Sequence, residues 1–209
     1  MTAAGTRATS SAPRVVLASA SRTRATLLAN AGVETTSDAA QIDEDEVKRS
    51  MRGTGAGVDE VAATLAELKA MRVAPRHRGA LVIGADQMLE CGGVSFDKPP
   101  DADHAIAQLL ALSGKTHRLV SVAVVVRDGV RLWHTADSAR LTMRRFDRSF
   151  AERYVQTLGP AAMSSVGAYQ LEGLGAQLFT QVAGDFFTVL GLPLLPLLGF
   201  LRAQGVIAT

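Results

Sequence analysis

Asp86 and Gln87 directly follow an apolar run, Leu81-Val82-Ile83, that reads as a buried strand. A carboxylate at that point either caps a turn or acts on a ligand, since open α/β sheets place ligands at the carboxyl ends of their strands. A second group of acids, Asp43, Glu44, Asp45 and Glu46, falls in "QIDEDE" (41–46), which reads as a loop. Glu44 there is a solvated acid or a metal ligand. Hard divalent cations take oxygen ligands, often one or two protein carboxylates together with substrate phosphates. The four histidines, His77, His104, His117 and His134, are isolated from one another. A metal in this chain is therefore expected to be Mg²⁺ or Mn²⁺, not Zn²⁺.

Cations and hydroxyls that suit an anion occur at three further places. In "LASASRTR" (17–24), Ser19 and Ser21 lie where a strand turns into a helix. A helix start carries free N–H groups and about half a positive charge. Arg22 and Arg24 are unfavourable there unless an anion joins them; otherwise Ser21 is only an N-cap and the arginines are solvated. The glycines and the Gly-Lys-Ser/Thr ending of a Walker loop are missing. Lys69, near the end of an apolar helix, and Lys98, before Pro99-Pro100, are either surface groups or a pair that neutralises a polyphosphate. "GAYQLEGLGA" (167–176) spaces its glycines around Tyr169, Gln170 and Glu172, which permits close backbone approach to a ligand.

The elements that must position these groups are legible from periodicity. Val15 to Ala18 reads as a strand and "TRATLLANAG" as a helix closed by Gly32. Val61, Ala62, Leu65 and Leu68 recur at helical spacing between Val58 and Met71. Cys91-Gly92-Gly93 marks a turn, and Asp101 with Ser113-Gly114 brackets another helix. Strands are expected at about Leu119–Val126 and Val130–Met143, joined through Asp128-Gly129. Ser149 to Glu152 reads as a capping box for a helix reaching Leu158. "FFTVL" (186–190) is strand-like, and a Leu-rich helix ends the chain. Mixed strands and helices predict an α/β domain around a mixed sheet, without repeat or linker.

Composition narrows the function. The 209 residues are 47% hydrophobic, enough for one sizeable core. Twenty-two Lys and Arg against 20 Asp and Glu leave a net charge of +2, with no basic stripe and only 5% aromatics, so no nucleic-acid partner is expected. Cys91 is the only cysteine, which excludes an intrachain disulfide and points to a reducing, cytoplasmic setting. Residues 1–13 lack an apolar signal region and read as a disordered tail. The most apolar window, 189–201, is shorter than the about 20 residues a bilayer span takes and contains Pro193 and Pro196, so it belongs to the core and no membrane partner is expected.

Together the segments "LASASRTRATLLANAGV", "LAELKA", "VIGADQ", "DKPPDADHAIAQLLALSGKTH", "GAYQLEGLGAQLF" and "VLGLPL" resemble, in order, the Maf family of nucleoside triphosphate pyrophosphatases. The resemblance spans about Val15 to Gly205. It implies a single elongated domain over residues 14–209, a mixed β-sheet flanked by helices with a central nucleotide cleft, and a possible homodimer. It also implies metal-assisted hydrolysis of a nucleoside triphosphate between its α- and β-phosphates, releasing a nucleoside monophosphate and pyrophosphate. On the matching positions, Asp86 is either the proton acceptor for the attacking water or, with Glu44, a metal ligand. Lys69 and Lys98 offset phosphate charge, and Ser19, Ser21 and Arg24 bind phosphates.

Three positions tied to base choice depart from the commonest pattern. Thr23 stands where many members have the first of two arginines. Gln87 stands where members similar to dTTP/UTP pyrophosphatases have Thr, and Glu172 where they have Gln. Gln87 and Glu172 are similar to the subgroup acting on 7-methyl-GTP, whereas Thr23 replaces the Trp of that subgroup. A modified nucleotide is thus a credible substrate, and cleansing of the nucleotide pool the expected role. A second reading, also from the family, is a nucleotide-binding regulator of septum formation acting through protein partners. The full set of charged residues favours catalysis over it.

Overall fold

A computed structural model describes residues 12–208, so the tail expected over residues 1–13 lies, but for Ala12 and Pro13, outside the described residues. A mixed sheet of seven strands carries helices on both faces. β1 (Val15–Leu17) pairs in parallel with β2 (Thr35–Ser37) and with β3 (Leu81–Cys91). β3 runs antiparallel to β4 (Val94–Phe96) and to β5 (Thr116–Arg127); β6 (Val130–Met143) and β7 (Phe179–Ala183) continue the antiparallel side. The two tight hairpins are built as expected: Gly92-Gly93 and Asp128-Gly129 all have positive φ, which matches the twist of the strands they join. The helices are α1 (Arg22–Asn30), α2 (Glu44–Gly53), α3 (Val58–Val73), α4 (Ala102–Leu112), α5 (Arg148–Leu158), α6 (Phe186–Val189) and α7 (Leu194–Ala203). Among the described residues no helix is long and apolar enough to cross a membrane.

Side chains of a strand alternate between faces, and β3 uses both. Val82 and Met88 pack with Val61, Leu65 and Ala66 of α3 on one face. Leu81, Ile83 and Ala85 pack with Leu27 and Leu28 of α1 and Leu197 and Leu201 of α7 on the other. Farther along that second face, Leu89, Leu119 and Leu141 join a separate cluster with α4 and α5. Between these two apolar clusters lies one polar rung. Gln87, Ser121 and Asp137 are register neighbours across β3, β5 and β6.

β3 also changes neighbours along its length. One edge is paired with β5 from Val82 to Glu90. Its other edge meets β1 only up to Ile83 and β4 only from Leu89, leaving residues 84–88 without a strand partner on that side among the described residues. Asp86 therefore sits in mid-strand, opposite Val122, rather than at a strand's end as the sequence suggests. What ends there is the parallel partner, β1. A local apolar run cannot reveal that, because it records burial and not the identity of the neighbour.

Three other expectations are corrected. "QIDEDE" is not a loop throughout: Asp43 accepts from Glu46 N at 2.9 Å as the N-cap of α2, and Glu44, Asp45 and Glu46 fill its first turn, where acids favour the helix dipole. "FFTVL" contains the single turn α6 instead of a strand, because Asp185 caps it through Thr188 N at 3.0 Å. The N-cap of α5 is Asp147 and not Ser149. The short strands β2 and β7, largely exposed and in part polar, carry too weak an apolar pattern to be read.

Gly84 fixes how closely α3 lies on β3. A Cβ at this position would come within 2.8 Å of Ala70 N and 2.9 Å of Ala70 Cβ, and closer still to the Ala66 carbonyl oxygen. Backbone atoms of a packed helix cannot swing aside, so Gly84→Ala must push α3 outward. It is expected to cost about 1–3 kcal/mol, the usual range for overpacking. Thermal or urea unfolding checks this; an Ala variant with wild-type stability would contradict the close approach.

Candidate active site

The close packing at Gly84 has a direct chemical result. Lys69 lies one helical turn beyond Ala66 on α3, and Asp86 lies two residues beyond Gly84 on the same face of β3. Their side chains meet: Lys69 Nζ donates to Asp86 Oδ1 at 2.6 Å. Both residues are buried. Lys69 Nζ also lies 2.9 Å from Oε1 of the half-buried Glu44, in the first turn of α2. One ammonium thus joins two carboxylates from different elements. Asp86 Oδ2 is buried and accepts no hydrogen bond among the described residues. Burial pushes the Asp86 carboxyl above its ordinary range, with Glu44 adding to the rise and Lys69 and Arg24 opposing it.

The β1–α1 turn supplies the second wall. Ser21 is the N-cap of α1 and accepts from Arg24 N at 3.3 Å. Ser19 Oγ accepts from Ser21 N at 3.2 Å and from Arg24 Nη1 at 3.3 Å. Arg24 is buried, not solvated. Its Nη1 donates to Ala85 O at 2.9 Å on the open edge of β3, and its Nε donates to Gly191 O at 2.8 Å. Desolvation is the largest influence on the guanidinium and lowers its pKa, while Asp86 and Glu44 support its charge. Arg24 therefore seals the unpaired stretch of β3 and places a cation near two acids.

Lys98 follows Asp97, which is held by Lys48 Nζ at 2.7 Å and Arg52 Nη2 at 3.4 Å from α2. Gln108 of α4 donates to the Asp97 carbonyl at 2.8 Å. Lys98 is exposed as a residue, but its ammonium is pulled below the ordinary lysine range, first by partial desolvation and then by Arg24, with Lys69 also contributing. A cation with cationic neighbours gains from a bound anion.

Thus Ser19, Ser21, Arg24, Glu44, Lys69, Asp86 and Lys98 converge from β1, α1, α2, α3, β3 and the β4–α4 connection. The base-choice candidates are arranged differently. Gln87 projects from the opposite face of β3 to Asp86, as strand alternation requires, and its Nε2 donates to Ser121 Oγ and to the carbonyls of Thr188 and Val189 at 3.0–3.1 Å. Thr23, half-buried beside Arg24, forms no side-chain hydrogen bond among the described residues. Glu172 lies on an exposed turn with no hydrogen bond or ion pair to the cluster. Its charge is felt instead by Tyr154 of α5, whose hydroxyl is pushed up to about 12, chiefly by burial.

The donor set suits a hard divalent cation. Asp86 Oδ2 is an orphaned acceptor, and Glu44 adds a second carboxylate beside the shared Lys69. Among the described residues no group of three or more His, Cys, Asp or Glu is placed to hold a metal by itself. Two carboxylates leave positions for phosphate oxygens and water, the usual arrangement for Mg²⁺. The sequence reading missed Lys48 and Asp97 as the brace for Lys98. It also missed Ser121, although a serine inside "LVSVAVVV" is itself a signal, since a buried hydroxyl must find a partner.

The family model for Maf-like proteins matches residues 14–204. The chain is 58% identical over 190 residues to a nucleoside triphosphate pyrophosphatase of Paramagnetospirillum magneticum, covering 91% of this chain and 98% of that protein. It is 49% identical over 189 residues to a protein of the same name from Granulibacter bethesdensis, covering 90% and 96%. It is also 49% identical over 191 residues to a 7-methyl-GTP pyrophosphatase of Brucella abortus, covering 91% and 96%.

The ion pair sets opposite outcomes for its two members. Lys69→Met strands a buried carboxylate and is expected to cost about 3–5 kcal/mol at neutral pH. The cost shrinks on acidification. A carboxyl whose pKa is raised in the fold favours the folded state at low pH and loses that contribution as pH rises through the raised value. Asp86→Asn removes the costly charge and leaves Lys69 with Glu44, so its melting temperature is expected at or above wild type. Unfolding of both variants between pH 4 and 8 checks the pair; a strongly destabilised Asp86→Asn would contradict it.

Proposed function

This chain belongs to the Maf-like protein family, and from that premise we propose that it hydrolyses the α–β phosphoanhydride of nucleoside triphosphates to a nucleoside monophosphate and pyrophosphate. The observation that carries this reading is Asp86. It is a buried carboxylate with one oxygen held by Lys69 and the other free, surrounded by the cations a triphosphate needs. In this reading Asp86 Oδ2 takes a proton from the attacking water. The water oxygen joins phosphorus across the α–β anhydride, and the bond to the departing phosphate oxygen breaks. Lys69 keeps Asp86 oriented and, with Lys98, offsets the charge of the phosphates. The N-terminus of α1, with Ser19, Ser21 and Arg24, binds phosphate oxygens. Phosphoryl transfer depends chiefly on such positioning and charge neutralisation.

Glu44, with Asp86 in place of its role as base, would hold a divalent cation, Mg²⁺ or Mn²⁺, which when bound supplies charge neutralisation at the phosphates and a more acidic water. The substrate class includes modified nucleotides: Gln87 and Glu172 are the positions at which the sequence resembles the 7-methyl-GTP subgroup, and one similar protein is named 7-methyl-GTP pyrophosphatase, while others carry only the broader name. Pool cleansing in a cytoplasmic setting fits the lone free Cys91. A homodimer belongs to the same reading. A regulator acting only through protein partners would have no use for a free carboxylate oxygen buried among cations.

The test is to incubate the pure protein with canonical and methylated nucleoside triphosphates plus Mg²⁺ or Mn²⁺ and to identify the products. Pyrophosphate and monophosphate are expected; orthophosphate alone, or no turnover on any nucleotide, would sink the reading. Asp86→Asn is expected to lower kcat/KM by about 10²–10⁴-fold, the range of a general base. In the wild type, kcat/KM should rise with pH along an acid limb, because only the ionised carboxylate accepts the proton. A pH profile lacking that acid limb would remove Asp86 from the role of base.

A further inference from the structure

Arg24 and Lys69 are held by partners of their own, whereas Lys98 makes no hydrogen bond or ion pair among the described residues. Its ammonium nonetheless lies within electrostatic reach of Arg24, Glu44, Lys69 and Asp86. Its place is therefore set by its backbone. On one side stands the buried Pro99, and a residue that precedes proline is kept out of the helical region. On the other side Asp97 is tied twice. Its carbonyl accepts from Gln108 Nε2 of α4 at 2.8 Å. Its carboxylate meets Lys48 Nζ at 2.7 Å through Oδ1 and Arg52 Nη2 at 3.4 Å through Oδ2, both from α2. α2 has no fully buried residue, and its start is tied to the site by Glu44, 2.9 Å from Lys69 Nζ. Lys48 follows Glu44 by four residues, which sets the two on one helix face a turn apart. A single turn of α2 thus carries a carboxylate that joins the site and an ammonium that holds the neighbour of Lys98. The side chain of Lys48 is 13% exposed and that of Asp97 41%. An ion pair this open to solvent on one side adds little to stability. What it fixes is the course of the chain at residue 97.

We propose that Lys48 is a positioning residue: acting through the Asp97 carboxylate, it holds the backbone that carries Lys98 and so places the Lys98 ammonium against the phosphates of the substrate. The proposal rests on the pyrophosphatase reading, in which Lys98 offsets phosphate charge. Arg52, the more distant of the two cations on Asp97, is a secondary tie. Without Lys48, residue 97 keeps its bond to Gln108 of α4 but can turn about it, and the long Lys98 side chain then samples positions away from the phosphates. The pair of Lys69 with Asp86 is untouched. What is lost is attraction for the triphosphate in the ground state and the transition state alike, which enters through KM.

The experiment measures kcat and KM for the wild type, Lys48→Met, Lys48→Arg, Asp97→Asn, Lys98→Met and the double variant Lys48→Met/Lys98→Met, with unfolding curves for each. The substrate is whichever of GTP, 7-methyl-GTP, ATP, UTP and CTP the wild type turns over best. Lys48→Met keeps the apolar stem and removes the charge. Asp97→Asn changes the more exposed partner, so it keeps the test available if Lys48→Met does not fold. In both, kcat/KM is expected to fall at least about fivefold, the scale of coupling within one salt-bridge network, and to fall through KM. Lys48→Arg, which keeps a cation on Asp97, should recover most of that loss. Because Lys48 acts through Lys98, removing it from Lys98→Met should cost less than about twofold, a non-additivity that a purely structural role does not produce. A fall of the same size with and without Lys98, a Lys48→Arg variant as impaired as Lys48→Met, or folded variants that match the wild type overturn the proposal and leave the pyrophosphatase reading intact. No pyrophosphate from any nucleotide with the wild type overturns both.

Discussion

A carboxylate buried in the middle of a sheet costs folding free energy unless cations meet it, and much of this structure follows from meeting Asp86. The ammonium of Lys69 can reach it only because α3 lies unusually close to β3, and α3 can lie that close only because residue 84 has no side chain. Glu44 shares the same ammonium and so ties the start of α2 to the pair. Arg24 reaches the neighbouring carbonyl of Ala85 and joins α1 to the same few residues. One buried charge thereby sets the spacing of three helices. Lys69 satisfies only one of the two carboxylate oxygens, a partial solution that suits catalysis better than stability.

The site lies where two packing regimes meet. Near β1 the second face of the sheet packs against α1 and α7; near β4 it packs against α4 and α5. Neither apolar cluster extends across Gln87, Ser121 and Asp137, so the boundary is polar and bridged by the single turn of α6. On the first face α3 runs across without interruption, with buried partners from Val82 to Met88. The continuous face gives the frame that a buried ion pair demands. The divided face leaves a polar seam in the same few residues of β3.

The fold was legible wherever pattern length exceeded local ambiguity. The α3 periodicity, the Asp-Gly hairpin, the Leu-rich final helix and the ordered motifs all appear where the sequence places them. Segments whose state depends on a cap were misread: Asp43 turns an acidic stretch into α2, and Asp185 turns an aromatic β-like run into α6. Most of the site was legible as a list of residues but not as an arrangement. Asp86 and Gln87 are adjacent in sequence yet face opposite sides of β3 and so meet different elements. Glu172, grouped with Gln87 by motif, lies on an exposed turn near Tyr154, and nothing in local spacing foretells that separation. Arg24 is similar: spacing suggests a solvated arginine, while long-range contacts to Ala85 and Gly191 bury it.

The unpaired stretch of β3 has a further consequence for the life of the molecule in a crowded solution. An exposed strand edge is normally a template on which another chain adds itself, and native sheets protect such edges with charge, brevity or cover. Residues 84–88 amount to about 17 Å of strand at the usual rise. β1 closes the stretch at one end, β4 closes it at the other, and Arg24 sits on the Ala85 carbonyl between them. An incoming strand would find no free end from which to zip. The interruption leaves no continuous row of free backbone groups on which a second polypeptide could add itself, so a gap in the pairing of β3 does not become a seed for aggregation.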